Sequence, residues 1–102
     1  MITMKVPNVV AEVLAELETA VVKFPTWPVD PLHAAGVINE EVGELNKAIL
    51  QQVYEPHKNK PNAVRDEARQ ACAMLIRFLA GLDPQSYDWR EGKQYEQKNL
   101  GE

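Results

Sequence analysis

Three glutamates occupy positions where helical periodicity sets a carboxylate beside or among apolar residues. Glu41 and Glu44 are three residues apart, so they project from one side of a helix and repel each other unless a positive charge lies between them. Glu67 falls within the apolar arc of the next helix, between Met74 and Phe78 in angular position. An uncompensated charge there is costly, so we expect Glu67 to be protonated, paired or bound to a cation.

Two interpretations fit these carboxylates. Oxygen ligands on two facing helices suit a hard cation such as Mg²⁺, and pairs at i and i+3 on adjacent helices build such sites in helical bundles. In the alternative, Glu40, Glu41 and Glu44 form an ordinary solvated face. Glu44 then pairs with Lys47, and Glu67 pairs with an arginine near the first helix or on a partner chain. The inward position of Glu67 gives the metal site equal weight with this alternative.

Local sequence signals predict the helices that carry these glutamates. Asp30 before Pro31 offers an N-cap and a proline at the first helical position, which opens a helix over residues 31–54. Asn62 can cap the next helix, over residues 63–81, after a polar connection. These two helices form a helical hairpin.

Further elements flank the hairpin. Pro7 suits the first turn of a helix whose apolar residues recur at spacings of three and four up to Val21. Residues 24–31 contain three prolines and form an ordered loop. A short helix within residues 87–99 and a frayed tail complete the chain. We therefore predict an all-α fold, a helical hairpin with flanking helices that form a bundle completed by self-association.

Both hairpin helices are expected to bury apolar faces. The stripe on the second helix consists of Ile38, Val42, Leu45, Ile49 and Val53. The arc on the third consists of Ala71, Met74, Leu75, Phe78, Leu79 and Leu82, extended by Ala68, Cys72 and Ile76. Because Cys72 is the single cysteine and has apolar neighbours, it is expected to be a small core hydrophobe rather than a catalytic thiol.

Composition limits the classes of protein to consider. The chain has 102 residues, of which 45% are hydrophobic and 25% charged, which is typical of one globular domain. The hydrophobic core of a chain this short gives only marginal stability by itself, so self-association is expected. The net charge of −4 and the absence of a Lys/Arg run argue against a polymeric nucleic acid as partner. No signal-peptide pattern or membrane-length apolar run is found, so we expect a cytoplasmic protein without a membrane partner.

The glutamate motifs resemble those of the MazG-like family, the all-α nucleoside triphosphate pyrophosphohydrolases. The family pattern is Glu-x-x-Glu followed by Glu-x-x-Asp on the next helix, and here Glu-Glu-x-Gly-Glu-Leu occupies residues 40–45. Small, phage-type members are the most similar. They share Trp-Pro-x-Asp-Pro-x-His, at residues 27–33, and Glu-x-x-Gln before an Ala-Met-x-x-Arg-Phe-Leu segment, at residues 67–79. The resemblance spans residues 24–82.

The resemblance implies a magnesium-dependent hydrolase that cleaves a nucleoside triphosphate between its α- and β-phosphates. Its metal positions are Glu41, Glu44, Glu67 and Gln70, the three glutamates being catalytic, and Mn²⁺ is a second possible metal. Gln70 stands where the family has Asp, so one metal is bound more weakly, or Asp66 or a water fills the gap. Members also associate as dimers or higher oligomers, and a dimer or tetramer is expected here.

Three residues are weaker candidates for substrate binding. Trp27 can stack on a nucleobase, although a loop Trp more often closes the edge of a small core. His33 can contact substrate or hydrogen-bond to the loop, and it lacks the partner ligands of a zinc site. Lys47, one turn after Glu44, is a candidate phosphate contact, whereas His57 is expected on the surface.

Two other functions remain open at this point. Gln70 can mark a catalytically weakened MazG-like protein that serves as a nucleotide-binding or oligomeric partner module. The chain can also be a plain helical dimerisation domain. Pyrophosphate release with Mg²⁺ and a panel of nucleotides separates these three functions.

Overall fold

The computed structural model of the chain describes residues 2–82, and side chains from Lys5 onward. It contains three α-helices, α1 (Ile2–Lys23), α2 (Pro31–Tyr54) and α3 (Ala63–Ala80), with a short 3-10 helix at Pro56–Lys58. No strand occurs in this part of the chain, so the all-α prediction is confirmed. The helix predicted within residues 87–99 lies outside the described residues.

The start of α1 differs from the prediction. The helix begins at Ile2, and Pro7 lies inside it rather than in its first turn. A proline removes one intrahelical hydrogen bond by lacking an N–H, and it crowds the carbonyl four residues earlier. Close to the N-terminus only one preceding turn is affected, so α1 continues through Pro7.

The predicted start of α2 is confirmed. The backbone N–H of Leu32 donates to Oδ1 of Asp30 at 2.9 Å, and Pro31 occupies the first turn. Asn62 precedes α3 as expected, with φ of 64°, a left-handed conformation that asparagine tolerates. Its side chain makes no capping hydrogen bond, and its carbonyl accepts one from the N–H of Asp66 at 2.8 Å.

α3 packs against both other helices. It forms the predicted hairpin with α2, through a connection that Asn59 ties to α2 by donating to the carbonyl of Ala48 at 2.9 Å. α1 runs alongside α3 in the same direction. Three contacts at successive levels show this, because each joins residues 53 apart in sequence: Glu12 with Arg65, Glu16 with Arg69, and the carbonyl of Phe24 with Arg77.

The interior of this bundle is narrow and rich in alanine. The buried apolar residues are Val13, Ala20, Ala34, Ala48, Ala71 and Ala73, and no large side chain in the described part of the chain is completely buried. Ala71 and Ala73 lie about 200° apart on α3, at about 100° per residue. They therefore lie on nearly opposite sides of α3. Between them, the inner face carries Gln70, Met74 and Arg77, and the outer face carries Cys72, Leu75 and Leu79.

Several residues of the predicted apolar arc are exposed on the outer face of α3, so this part of the prediction is wrong. Cys72, Leu75, Leu79 and Leu82 are exposed, so Cys72 is not a core residue. On α2, the predicted stripe is also largely exposed at Val42, Ile49 and Val53. The prediction assumes a helix with one apolar side. Instead, α3 also buries Ala73 outside the arc and exposes part of the arc, while Met74, Ile76 and Phe78 are half-buried. Within residues 2–82, no helix has the length and apolarity needed to span a membrane.

Candidate functional site

A cavity of about 600 Å³ lies between the three helices. α1 and the loop after it form one wall, the first half of α2 a second, and the inner face of α3 the third. The lining residues are Glu16, Thr19, Ala20 and Lys23 of α1, Phe24, Thr26, Trp27 and Pro28 of the loop, His33, Val37, Glu40 and Glu41 of α2, and Gln70, Met74 and Arg77 of α3.

The cavity has two chemically different ends. The contact between Arg69 and Glu16 sets Glu16 level with Gln70, which defines a carboxylate end. About 12 Å further along α3, at about 1.5 Å per residue from Arg69, Arg77 donates to the carbonyl of Phe24 and defines an aromatic and basic end. Apolar side chains, including Met74, line the wall between them.

Glu41 is the most perturbed carboxyl group of the cavity. It is half-buried, and its Oε2 atom is buried without a hydrogen-bond partner in the described part of the chain. Burial raises the pKa of Glu41 above its ordinary value of 4.5, and the charge of Glu67 raises it further, followed by those of Glu40, Glu44 and Glu16. The charges of glutamates on all three helices therefore raise the pKa of this carboxyl group. A bound cation would offset both the cost of burying the charged carboxylate and the repulsion between the glutamates.

The four predicted metal positions are only partly brought together. Glu41 and Gln70 line the cavity, and Glu67 is half-buried and close enough to raise the pKa of Glu41. Glu44 is exposed, one turn beyond Glu41. Among residues 5–82, no three His, Cys, Asp or Glu side chains converge closely enough to hold a metal ion.

The ion pairs expected for an ordinary solvated face are not formed. No salt bridge within the described chain involves Glu41, Glu44 or Glu67, so neither the pairing of Glu44 with Lys47 nor that of Glu67 with an arginine of the same chain is seen. The nearby arginines bind other carboxylates. Charge compensation for Glu41 and Glu67 is therefore absent from the described part of the chain.

Arg69 binds carboxylates of two helices. Its Nε donates to Oε1 of Glu16 at 3.2 Å, its Nη1 to Glu12 at 3.4 Å, and its Nη2 to Asp66 at 2.8 Å. Arg65 also binds Glu12, and this hydrogen bond lowers the pKa of Glu12. Asp66, the alternative to Gln70 for completing a metal site, is thus already bound to Arg69.

The structure places the three weaker candidates for substrate binding in different surroundings. Trp27 lines the cavity, but the Arg77 guanidinium lies 5.1 Å from its ring centroid, and a Cβ atom at Gly81 would lie 3.5 Å from its Cδ1. Trp27 therefore packs against the end of α3, as a loop tryptophan that closes a core does. His33 is exposed and lines the cavity. Lys47 lines a separate shallow pocket with Asn46 and Leu50 and does not reach the carboxylate cavity.

Several cavity residues were not predicted. Glu16, Lys23 and Phe24 come from α1 and the residue after it, and Arg77 holds the loop by donating to the carbonyls of Phe24 and Thr26 at 2.7 and 3.1 Å. The periodicity of α1 indicates an amphipathic helix but not which helix it faces. His57 is exposed, as predicted.

Comparison of the chain with family models, with curated proteins and with solved structures finds no match.

Proposed function

We propose that this protein is a magnesium-dependent nucleoside triphosphate pyrophosphohydrolase of the MazG-like type. The observation that carries the proposal is the buried, unpartnered Oε2 of Glu41, which lies among glutamates of three helices. A hard divalent cation, Mg²⁺ first and Mn²⁺ second, would compensate the negative charge of these glutamates and prefers oxygen ligands of this kind. The sequence resemblance supplies the reaction class.

Glu41, Glu44, Glu67 and Gln70 are the residues that would hold the metal. When bound, Mg²⁺ would neutralise phosphate charge and favour deprotonation of the attacking water. The water oxygen forms a bond to phosphorus while the bridging oxygen between the α- and β-phosphates leaves with pyrophosphate. A carboxylate of the motif would accept the proton of the water. The products are a nucleoside monophosphate and pyrophosphate.

The two ends of the cavity suggest how the substrate lies. We place the triphosphate at the carboxylate end and the nucleoside toward the loop, about 12 Å away. Phe24 is 65% exposed on the cavity wall and is the aromatic ring best placed to stack on a base, since Trp27 packs against Arg77. Lys23 and His33 add hydrogen-bonding groups at this end.

One further function is favoured by specific observations. Gln70 brings no charge to the carboxylate end, and large apolar side chains are exposed on all three helices. Both suit a catalytically weakened MazG-like protein that serves as a nucleotide-binding or oligomeric partner module. Nucleotide binding without turnover would support this alternative. In either case we propose a cytoplasmic homo-oligomer.

Variants of Glu41 and Glu67 test the proposed active site. Replacing either by Gln should abolish nucleotide hydrolysis while the free energy of unfolding, measured without metal, stays the same or rises, because a repelled carboxylate is removed. Glu18→Gln, an exposed glutamate of α1 outside the cavity, is the matched control and should keep full activity. Loss of the fold in the Glu41 and Glu67 variants would instead assign these residues a structural role.

A further inference from the structure

We propose that Glu16 of α1 supplies the magnesium site with the negative charge that Gln70 does not, and that Arg69 is the positioning residue that holds Glu16 there. This inference rests on the proposed function, because it adds a carboxylate to that same site. Its ligand is a divalent cation.

The position of Glu16 is fixed by one of its two carboxylate oxygens. Arg69 binds Oε1, whereas Oε2 accepts no hydrogen bond within the described part of the chain. The side chain is only 21% exposed and lines the same cavity as Glu41 and Gln70. One oxygen of Glu16 is therefore anchored, and the other is available to a cation or to a water bound to it.

Gln70 and Glu16 meet at one level of the bundle. Arg69 directly precedes Gln70, and it reaches across to α1 while the Gln70 side chain enters the cavity. A neutral amide offers one carbonyl oxygen, whereas a carboxylate brings a full charge. The α1 carboxylate therefore stands beside the position where the family pattern has Asp and this chain does not.

The group of charged residues around Arg69 has a net negative charge. Arg65 and Arg69 together bind three carboxylates, those of Glu12, Glu16 and Asp66. One negative charge is left over in this group. Glu41 lines the same cavity, so the excess charge adds to the negative charge that a cation would offset there.

The test compares Glu16→Gln with Glu12→Gln. Both variants remove a carboxylate bound to Arg69, but only Glu16 lines the cavity. The measurement is the Mg²⁺ concentration that gives half of the maximal thermal stabilisation, with no nucleotide present. Glu16→Gln should raise this concentration about tenfold, as loss of a supporting metal-site group does, and Glu12→Gln should leave it nearly unchanged.

A rescue variant distinguishes the loss of the negative charge of Glu16 at the metal site from a structural effect of its substitution. Adding Gln70→Asp to Glu16→Gln should restore the wild-type Mg²⁺ requirement, because the carboxylate returns on the adjacent wall. Equal shifts in the Glu12 and Glu16 variants, or no rescue, would overturn the role of Glu16. If the wild type binds Mg²⁺ and Glu16→Gln binds it equally well, only this inference fails. A wild type that does not respond to Mg²⁺ overturns both this inference and the proposed function.

Discussion

At the scale of single residues, Glu41 links stability to pH. Its pKa is raised by burial first and by Glu67 next, so the folded protein holds this proton more tightly than the unfolded chain does. The free energy of unfolding therefore falls as the pH rises from 4.5, the ordinary value, to the raised pKa, and it stays lower above that. Without metal, Glu41 therefore contributes less to stability at about pH 7 than at about pH 4.

Glu41→Gln should remove this pH dependence. We expect urea unfolding without metal to give similar free energies for wild type and variant at about pH 4, and a more stable variant at about pH 7. Added Mg²⁺ should reverse the order at the higher pH, because it stabilises only the wild type. A variant less stable than the wild type at about pH 7 without metal would show that Glu41 makes a favourable structural interaction.

The residues of the cavity were predictable to different degrees. Glu41 and Glu67 were identified because a carboxylate on the apolar side of a helix conflicts with periodicity. The positions of Glu16 and Phe24 in the sequence do not conflict with helical periodicity. These residues line the cavity only because α1 packs beside it. The prediction of a buried Cys72 is wrong because the sequence pattern does not show which part of the apolar arc of α3 is covered by other helices.

At the scale of elements, Arg77 fixes the loop between α1 and α2. It donates to the carbonyls of Phe24 and Thr26 and stacks on Trp27, so one side chain holds three loop residues against α3. A lysine cannot reproduce this planar set of donors. Loop order therefore depends on the guanidinium group as well as on the prolines.

Arg77→Lys should lower the free energy of unfolding by about 1–3 kcal/mol through the lost hydrogen bonds. The fluorescence of Trp27 should shift to longer wavelength, best read in a background with Trp89 replaced by Phe. Arg65→Lys is the control, because its pairing with Glu12 is more exposed and contributes less. Unchanged Trp27 emission in Arg77→Lys would show that the prolines alone order the loop.

The start of α2 was predictable from a local signal that acts through the backbone. Asp30 and Pro31 mark the start of α2 because the carboxylate accepts a backbone N–H and proline has no N–H to satisfy there. Pro7 misplaced the start of α1, since a proline near a helix end is tolerated in more than one position. The direction of α1 along α3 has no local signal and follows from packing and from the arginine pairs.

At the scale of the whole molecule, exposed apolar side chains lead us to expect self-association. Leu79 on α3 is 70% exposed, and Val53 on α2 is 65% exposed. A chain of this size gains stability when such side chains are covered. We expect a dimer or tetramer by sedimentation velocity at micromolar concentrations.

Leu79→Glu should weaken this association at least tenfold, because it places a charge where apolar contact is expected. Ala80→Glu adds the same charge at the next exposed residue of α3, on another face, and serves as control. A monomeric wild type, or equal effects of the two substitutions, would remove the outer face of α3 as an association surface.

The most direct test of the proposed function is the identity of the reaction products. The wild-type protein is incubated with Mg²⁺ and a panel of ribo- and deoxyribonucleoside triphosphates, and the mixture is followed by phosphorus NMR. We predict that nucleoside monophosphate and pyrophosphate accumulate in equal amounts from at least one nucleotide, and only when Mg²⁺ is present. Release of orthophosphate with a nucleoside diphosphate, or no metal-dependent change for any nucleotide, would contradict the proposal.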